Sequence, residues 1–170
     1  MIAVSLRPAT VDDIAFMMAE ERQPGYEHLV GRFSEEEHRA NLNDPTTAYK
    51  LAVGDDGQAL GFVFFRDLNS PYQSVYIKRV VVAEPQRGVG TAMMRLAISW
   101  AFSQGGAHRL WLTHLPDNLR ARALYEKLGF QQEGVWRQAY VRPDGSRCDL
   151  LQMSLLKPEW ERMDISTSRV

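Results

Sequence analysis

The run VVVAEPQRGVGTAMM, Val80 to Met94, decides how this chain is read. Three β-branched residues in a row suit a strand, because branching at Cβ packs well on a pleated surface. Pro85 ends the run by removing a ladder donor. Arg87-Gly88-Val89-Gly90-Thr91 then leads into AMMRLAISWAF, a helix-like apolar run. A strand that turns through two glycines into a helix leaves the helix's first N–H groups unpaired, at the positive end of its dipole. Gly88, Val89, Gly90 and Thr91 would offer those donors to a phosphate, with no Cβ in the way at the glycines. Arg87 could add a charge-assisted bond. A plain tight turn is the competing reading, and the motif alone does not separate the two. Other phosphate motifs fit worse. No Gly-Lys-Ser/Thr closes the loop as a P-loop requires. Met93 stands where a dinucleotide fingerprint needs its third glycine, and LWLTHL ends without the acid that fingerprint expects.

The totals limit the rest. With 170 residues, 45% of them hydrophobic, the chain suits one domain with a real core. Lys and Arg number 20 against 21 Asp and Glu, which excludes bulk electrostatic binding of nucleic acid or a membrane surface as the main task. Cys148 is the single cysteine, so no internal disulfide forms and a reducing compartment fits. No secretory leader is evident, and no apolar run approaches the roughly 20 residues of a membrane helix. A cytoplasmic protein is expected. The four histidines show no metal spacing, so no metal is expected.

Outward from the glycine turn, the pattern alternates between strands and helices. IAVSLRPA reads as a strand ended by Pro8, and Thr10 with Asp13 caps a helix. RQPGYEHLVGRF is irregular, and Ser34 opens a second short helix whose first turn carries three acids. YKLAV and LGFVFFRDL flank the turn GDDGQ, and SVYIKRVVVA is a long strand. LWLTHL is a strand, Asp117 or Asn118 caps the helix RARALYEKL, and two strands pair across the turn PDG. The expected fold is therefore α+β: a mixed, mostly antiparallel sheet of about seven strands, with about four helices on its two faces. The domain is expected over 1–157, with 158–170 a polar tail.

The second informative element is DNLRARALYEKLGF. Ala121, Leu124 and Leu128 share one helical face, which half-buries Tyr125 and leaves its hydroxyl free to reach a site. A core aromatic is the plainer reading of Tyr125 alone. Taken together, VVVAEPQRGVGTAMM and LWLTHLPDNLRARALYEKLGF resemble the GNAT superfamily of acyl-CoA N-acyltransferases. LRPATVDD and the closing hairpin add to the likeness, which covers residues 2 to 157 and is nearest to the branch with ribosomal-protein N-terminal and small-molecule acetyltransferases.

The resemblance implies acetyl-CoA as co-substrate and an amine as acceptor, small molecule or protein N-terminus. It places Gln86, Arg87, Gly88, Val89, Gly90 and Thr91 around the pyrophosphate, and Val80, Val81 and Val82 along the pantetheine. It puts Asn118 on the pantetheine and gives Tyr125 the role of protonating the departing thiolate. This chain departs from the family pattern at Tyr76 and Thr113, where members carry glutamates, and at Pro85, where Gln or Arg is usual. The general base therefore stays open among Glu27, His28, His114 and water. Glu84 reads as a solvent-facing loop acid, Cys148 as no nucleophile without a partner base, and the tryptophans as packing. Acids in AEERQ…YEH and SEEEH hint weakly at a cationic acceptor. A non-catalytic acyl-CoA-binding module on the same fold is the rival reading. The sequence leaves the oligomeric state, a homodimer included, undecided.

Overall fold

The computed structural model describes residues 3–85 and 88–167, with 164–167 in backbone only. Seven strands form one sheet in the order β1-β2-β3-β4-β5-β7-β6. They are β1 (Ser5–Pro8), β2 (Ala48–Val53), β3 (Ala59–Arg66), β4 (Ser74–Val82), β5 (Arg109–His114), β6 (Gln131–Val141) and β7 (Arg147–Leu156). Every neighbouring pair is antiparallel except β4 and β5. The chain order accounts for that exception. Helix α3 (Val89–Ser103) joins β4 to β5, and a helical crossover brings the chain back in the same direction. The mixed, mostly antiparallel sheet expected from the sequence is the one observed.

Two helices cover one face. α1 (Ile14–Glu21) follows a single 3₁₀ turn at Val11–Asp13, and α2 (Glu35–Asn43) starts at Ser34. Ser34 caps α2 reciprocally: its hydroxyl accepts from the Glu37 N–H at 3.2 Å, and the Glu37 carboxylate accepts from the Ser34 N–H at 2.7 Å. This side buries Ile14, Met17, Tyr49, Leu51, Phe62, Phe64 and Val81. On the other face lie α3 and α4 (Leu119–Lys127), over a larger core that includes Val75, Ile77, Met93, Met94, Phe102, Leu110, Leu112 and Tyr125. No described helix is long and apolar enough to cross a membrane.

A bulge in β4 sets which side chains face which helices. Phe64 pairs with Arg79 but Phe65 with Ile77, so Lys78 is the extra residue. Strict alternation would send Arg79 to the same side as Ile77. The bulge instead leaves Ile77, Val80 and Val82 with the α3 core, and turns Arg79 and Val81 to the α1 side.

The C-terminal segment corrects the sequence reading. From 158 onward a polar tail was expected, but Lys157–Thr167 form a fifth helix, α5. Polar residues dominate its sequence and hide its few contacts. Trp160 packs on the α3 core with its ring 5.4 Å from that of Phe102. At its start, the Glu159 carboxylate accepts from the Leu156 N–H at 2.9 Å. Trp160→Ala should destabilise the protein by about 2 kcal/mol, below the roughly 3–5 kcal/mol of a fully buried tryptophan. Urea unfolding measures this, and an unchanged midpoint would return the segment to a tail.

Candidate active site

β4 and β5 part company early. Their pairing covers only Ser74–Tyr76 against Arg109–Trp111, although β4 runs on to Val82. Past Trp111, β5 is held by β7 instead, with Thr113 opposite Gln152 and His114 opposite Leu151. The gap between the diverging strands is a cleft of about 460 Å³.

The β4 edge of this cleft is unpaired backbone. The Ala83 N–H donates to Leu60 C=O of β3 at 2.9 Å. Alternation along the strand then turns the N–H and C=O of Val82 and Val80 the other way, towards the cleft. Val82 C=O is already occupied, accepting from the Tyr26 hydroxyl at 3.0 Å and the Gln23 amide at 3.1 Å. The Val80 N–H and C=O and the Val82 N–H have no partner in the sheet on that side. Val80 and Val82 line the cleft. Val81 does not: the same alternation turns its backbone to β3, and its side chain is buried on the α1 side.

The glycine turn closes one end. Gly88 is the N-cap of α3 with φ +77°, a conformation that favours glycine, and a Cβ built on it would meet nothing within 4 Å. The Ala92 N–H, bonded to Gly88 C=O at 3.1 Å, makes the first bond of the helix. The N–H groups of Val89, Gly90 and Thr91 therefore have no partner within it. Gly88, Gly90 and Thr91 line the cleft, while the Val89 side chain is sunk in the core and offers only its backbone. Gln86 and Arg87 lie outside the described residues.

Asn118, Tyr125 and His114 form the opposite wall. The Asn118 carbonyl caps α4 by accepting from the Ala121 N–H at 3.1 Å. Tyr125 is 7% exposed, and its hydroxyl has no hydrogen-bond partner among the described residues. Burial pushes its phenol well above the usual value, with Tyr76 adding to the rise. Its ring packs 5.9 Å from Phe130 and 6.1 Å from His114. His114 donates from Nδ1 to Leu115 C=O at 2.9 Å, so in the neutral ring Nε2 is an acceptor. Nε2 is buried without a partner among the described residues. Of the side-chain base candidates His114 alone lines the cleft. Glu27 is exposed and accepts from the Gly25 N–H at 2.8 Å, and His28 is exposed as well. Cys148 and Glu84 are likewise absent from the lining, and Tyr76 stacks on Trp111 at 4.0 Å.

Sequence reasoning missed one group, the bulged pair Lys78-Arg79, and with it the polar cluster beneath. Arg79 donates from Nη1 to Glu21 at 2.5 Å, and its guanidinium lies 3.6 Å from the centroid of the Phe33 ring. Glu21 is fully buried and also accepts from the Phe33 N–H at 3.1 Å. His38 Nε2 stands 3.2 Å from the same carboxylate, and its Nδ1 stands 2.9 Å from the Tyr49 hydroxyl. Burial pushes Glu21 up, but His38, Arg79 and the Phe33 N–H together hold it below the ordinary carboxylate value. Burial likewise pushes Tyr49 up, to about 12. The signal available in the sequence was Lys78-Arg79 inside an otherwise apolar strand.

Removing the carboxyl charge leaves Arg79 buried and uncompensated. Glu21→Gln should therefore cost about 3–5 kcal/mol at neutral pH. A depressed carboxylate stabilises above its unfolded pKa and loses that contribution as pH falls through its folded one. The gap between wild type and variant should thus close below about pH 4. A gap that stays constant to low pH would show that the charge is not what holds the cluster.

Comparison with known proteins agrees with this geometry. Residues 15–130 match the family described as the acetyltransferase (GNAT) family. A putative ribosomal N-acetyltransferase of Bacillus subtilis is 32% identical over 108 residues, covering 62% of this chain but only 58% of that protein. A spermidine N(1)-acetyltransferase of Vibrio cholerae is 24% identical over 138 residues, 79% of each chain. A Vibrio cholerae spermidine N-acetyltransferase solved with CoA and spermine superposes with a TM-score of 0.84 over 93% of this chain and 98% of that one, at 18% identity, and so shares the fold. A probable GNAT-family acetyltransferase of Chromobacterium violaceum superposes at 0.77 over 94% and 90%, with 27% identity.

Proposed function

Because the chain belongs to the acetyltransferase (GNAT) family, we propose that it transfers an acetyl group from acetyl-CoA to a primary amine in a direct, sequential reaction. The observation that carries this is the meeting of three features in one cleft: the open β4 edge, the unpaired N–H groups of the α3 start, and the Tyr125 phenol. Each suits a different part of the co-substrate. Gly88, Gly90 and Thr91 present N–H donors for its pyrophosphate, joined by the Val89 N–H. The Val80 backbone and Val82 N–H pair with its extended arm as a further strand would. Asn118 and Ala121 flank the arm from α4.

Acetyl-CoA supplies a thioester whose C–S bond breaks as the amine nitrogen bonds to the carbonyl carbon. The chain's own groups then have definable tasks. A backbone N–H on the open edge polarises the carbonyl oxygen. Tyr125 stays protonated at neutral pH because burial disfavours its phenolate, so its O–H proton is available to the departing sulfur. The acceptor ammonium, with a pKa near 10 for a lysine-like amine, must first give up a proton to water or a base. His114 Nε2 is the cleft-lining candidate for that base.

Relatives named for ribosomal and for polyamine acetylation leave the acceptor class to be found by experiment. We place the activity in the cytoplasm, which suits the free Cys148. The rival reading, a non-catalytic acyl-CoA-binding module, gives no use to a buried phenol without a partner on the cleft wall. Tyr125→Phe distinguishes the two. It should lower amine-dependent thiol release by about 10²–10⁴-fold while leaving acetyl-CoA affinity nearly unchanged. Equal turnover in variant and wild type would remove Tyr125 from the chemistry.

A further inference from the structure

The charged side chains that line the cleft all carry one sign. Among the described residues its lining includes Lys78, Arg79, Arg120 and Lys127, and no Asp or Glu. Arg120 belongs to the glycine-turn end. It lies near enough to Tyr26 to oppose the upward push of burial on that hydroxyl, and Tyr26 is bonded to the last carbonyl of β4. A cation there suits the phosphates of the co-substrate.

Lys78 and Arg79 stand elsewhere, at the bulge in the middle of β4. Tyr125 sits on the α3 side of the sheet, whereas Arg79 reaches Glu21 on the α1 side and Lys78 sits over Tyr76, with Nζ 5.7 Å from the ring centroid. This side is bordered by Leu29, Val30 and Gly31 of the α1–α2 connection and by Thr113 of β5. The co-substrate arm takes the wall with Asn118 and Tyr125. The acceptor is left with the bulge side.

Arg79 keeps donor capacity beyond its pairing with Glu21. Its Nη1 is held by that carboxylate, but Nη2 has no partner among the described residues. A Cβ at Gly31 would come within 2.8 Å of Nη2, so the guanidinium end lies close against the loop there. Lys78 has no carboxylate partner among the described residues either. Desolvation lowers its pKa, and Arg79 and Arg66 add repulsion. Most of the acids that hinted at a cationic acceptor are spent elsewhere, and Glu20, pushed up by burial, accepts from the Gln23 amide at 2.8 Å. Glu21 is buried against Arg79, Glu27 folds back on Gly25, Glu35 pairs with Arg39 at 2.8 Å, and Glu37 caps α2. The positions of the two family glutamates, Tyr76 and Thr113, contribute no charge.

We infer that the acceptor amine carries a carboxylate close to its nitrogen, an α-amino carboxylate, which Lys78 and Arg79 bind as the amine meets the thioester. This rests on the acetyltransferase reading and names its substrate class. A free polycation such as spermidine would meet like charge at the same place. Carboxylate binding to the Arg79 fork and the Lys78 ammonium is charge-assisted, and the buried Glu21 keeps the fork in one orientation.

The test uses the full chain with saturating acetyl-CoA and reads thiol release. The panel is the common α-amino acids, each paired with its carboxamide, together with spermidine. One amino acid should be used at least tenfold better, in kcat/KM, than its own amide and than spermidine. Lys78→Gln should raise the KM for that amino acid about tenfold and Lys78→Arg should restore it, the effect falling on the amino acid and not on acetyl-CoA. Calorimetry of the same amino acid in the presence of coenzyme A should show the same loss of binding in Lys78→Gln. Preference for the amide or for spermidine overturns the carboxylate assignment and keeps the transferase. Release with no amine at all overturns both.

Discussion

The site depends on one failure of pairing. β4 and β5 hold together for three residues, at Ser74–Tyr76, and then diverge. A parallel pair buried under two helical layers would normally continue, because unpaired backbone in an apolar interior is costly. Here β5 finds β7 on its other side, and β4 keeps β3 on its own, so each strand is secured by one neighbour alone. The edge of β4 that this leaves open needs donors and acceptors from outside the sheet. Tyr26 and Gln23 supply donors at Val82, and at Val80 the N–H and C=O stay open towards the cleft. The cleft is thus a missing strand, with the start of α3 set at its end.

The bulge at Lys78 adds the chemistry of the second side. By inserting a residue it sends Arg79 to the α1 face, where Glu21, His38 and Tyr49 are stacked beneath it. Those groups are fully or almost fully buried, so each must be satisfied by another, and the cluster has little freedom to rearrange. Its rigidity holds Arg79 in place at the cleft wall.

The sequence made the backbone half of this arrangement legible. VVVAEPQRGVGTAMM specifies a strand, a glycine turn and a helix start, and the structure contains all three in that order. Asn118 and Tyr125 were singled out by the family resemblance, and the apolar face of α4 added only that the helix buries part of the Tyr125 ring. Three features were not legible. Lys78-Arg79 shows as two charges in an apolar strand, but nothing in the sequence marks the inserted residue, and without it Arg79 has the wrong face. The Glu21–His38 contact joins α1 to α2 across an irregular segment that has no period to follow. α5 was hidden because Trp160 is almost alone in an otherwise polar stretch, and its helix is held by docking on Phe102 rather than by a continuous apolar face.

The central claim is that the open edge of β4 and the first turn of α3 together receive the co-substrate. Amide hydrogen exchange, resolved by residue and recorded with and without coenzyme A, tests it most directly. Coenzyme A should slow exchange at Val80 and Val82 and across Gly88 to Thr91, while Val81, already directed at β3, should change little. Binding that leaves the Val80 and Gly90 amides unprotected would contradict the account, and would mean that the cleft is filled by side-chain contacts without the added strand.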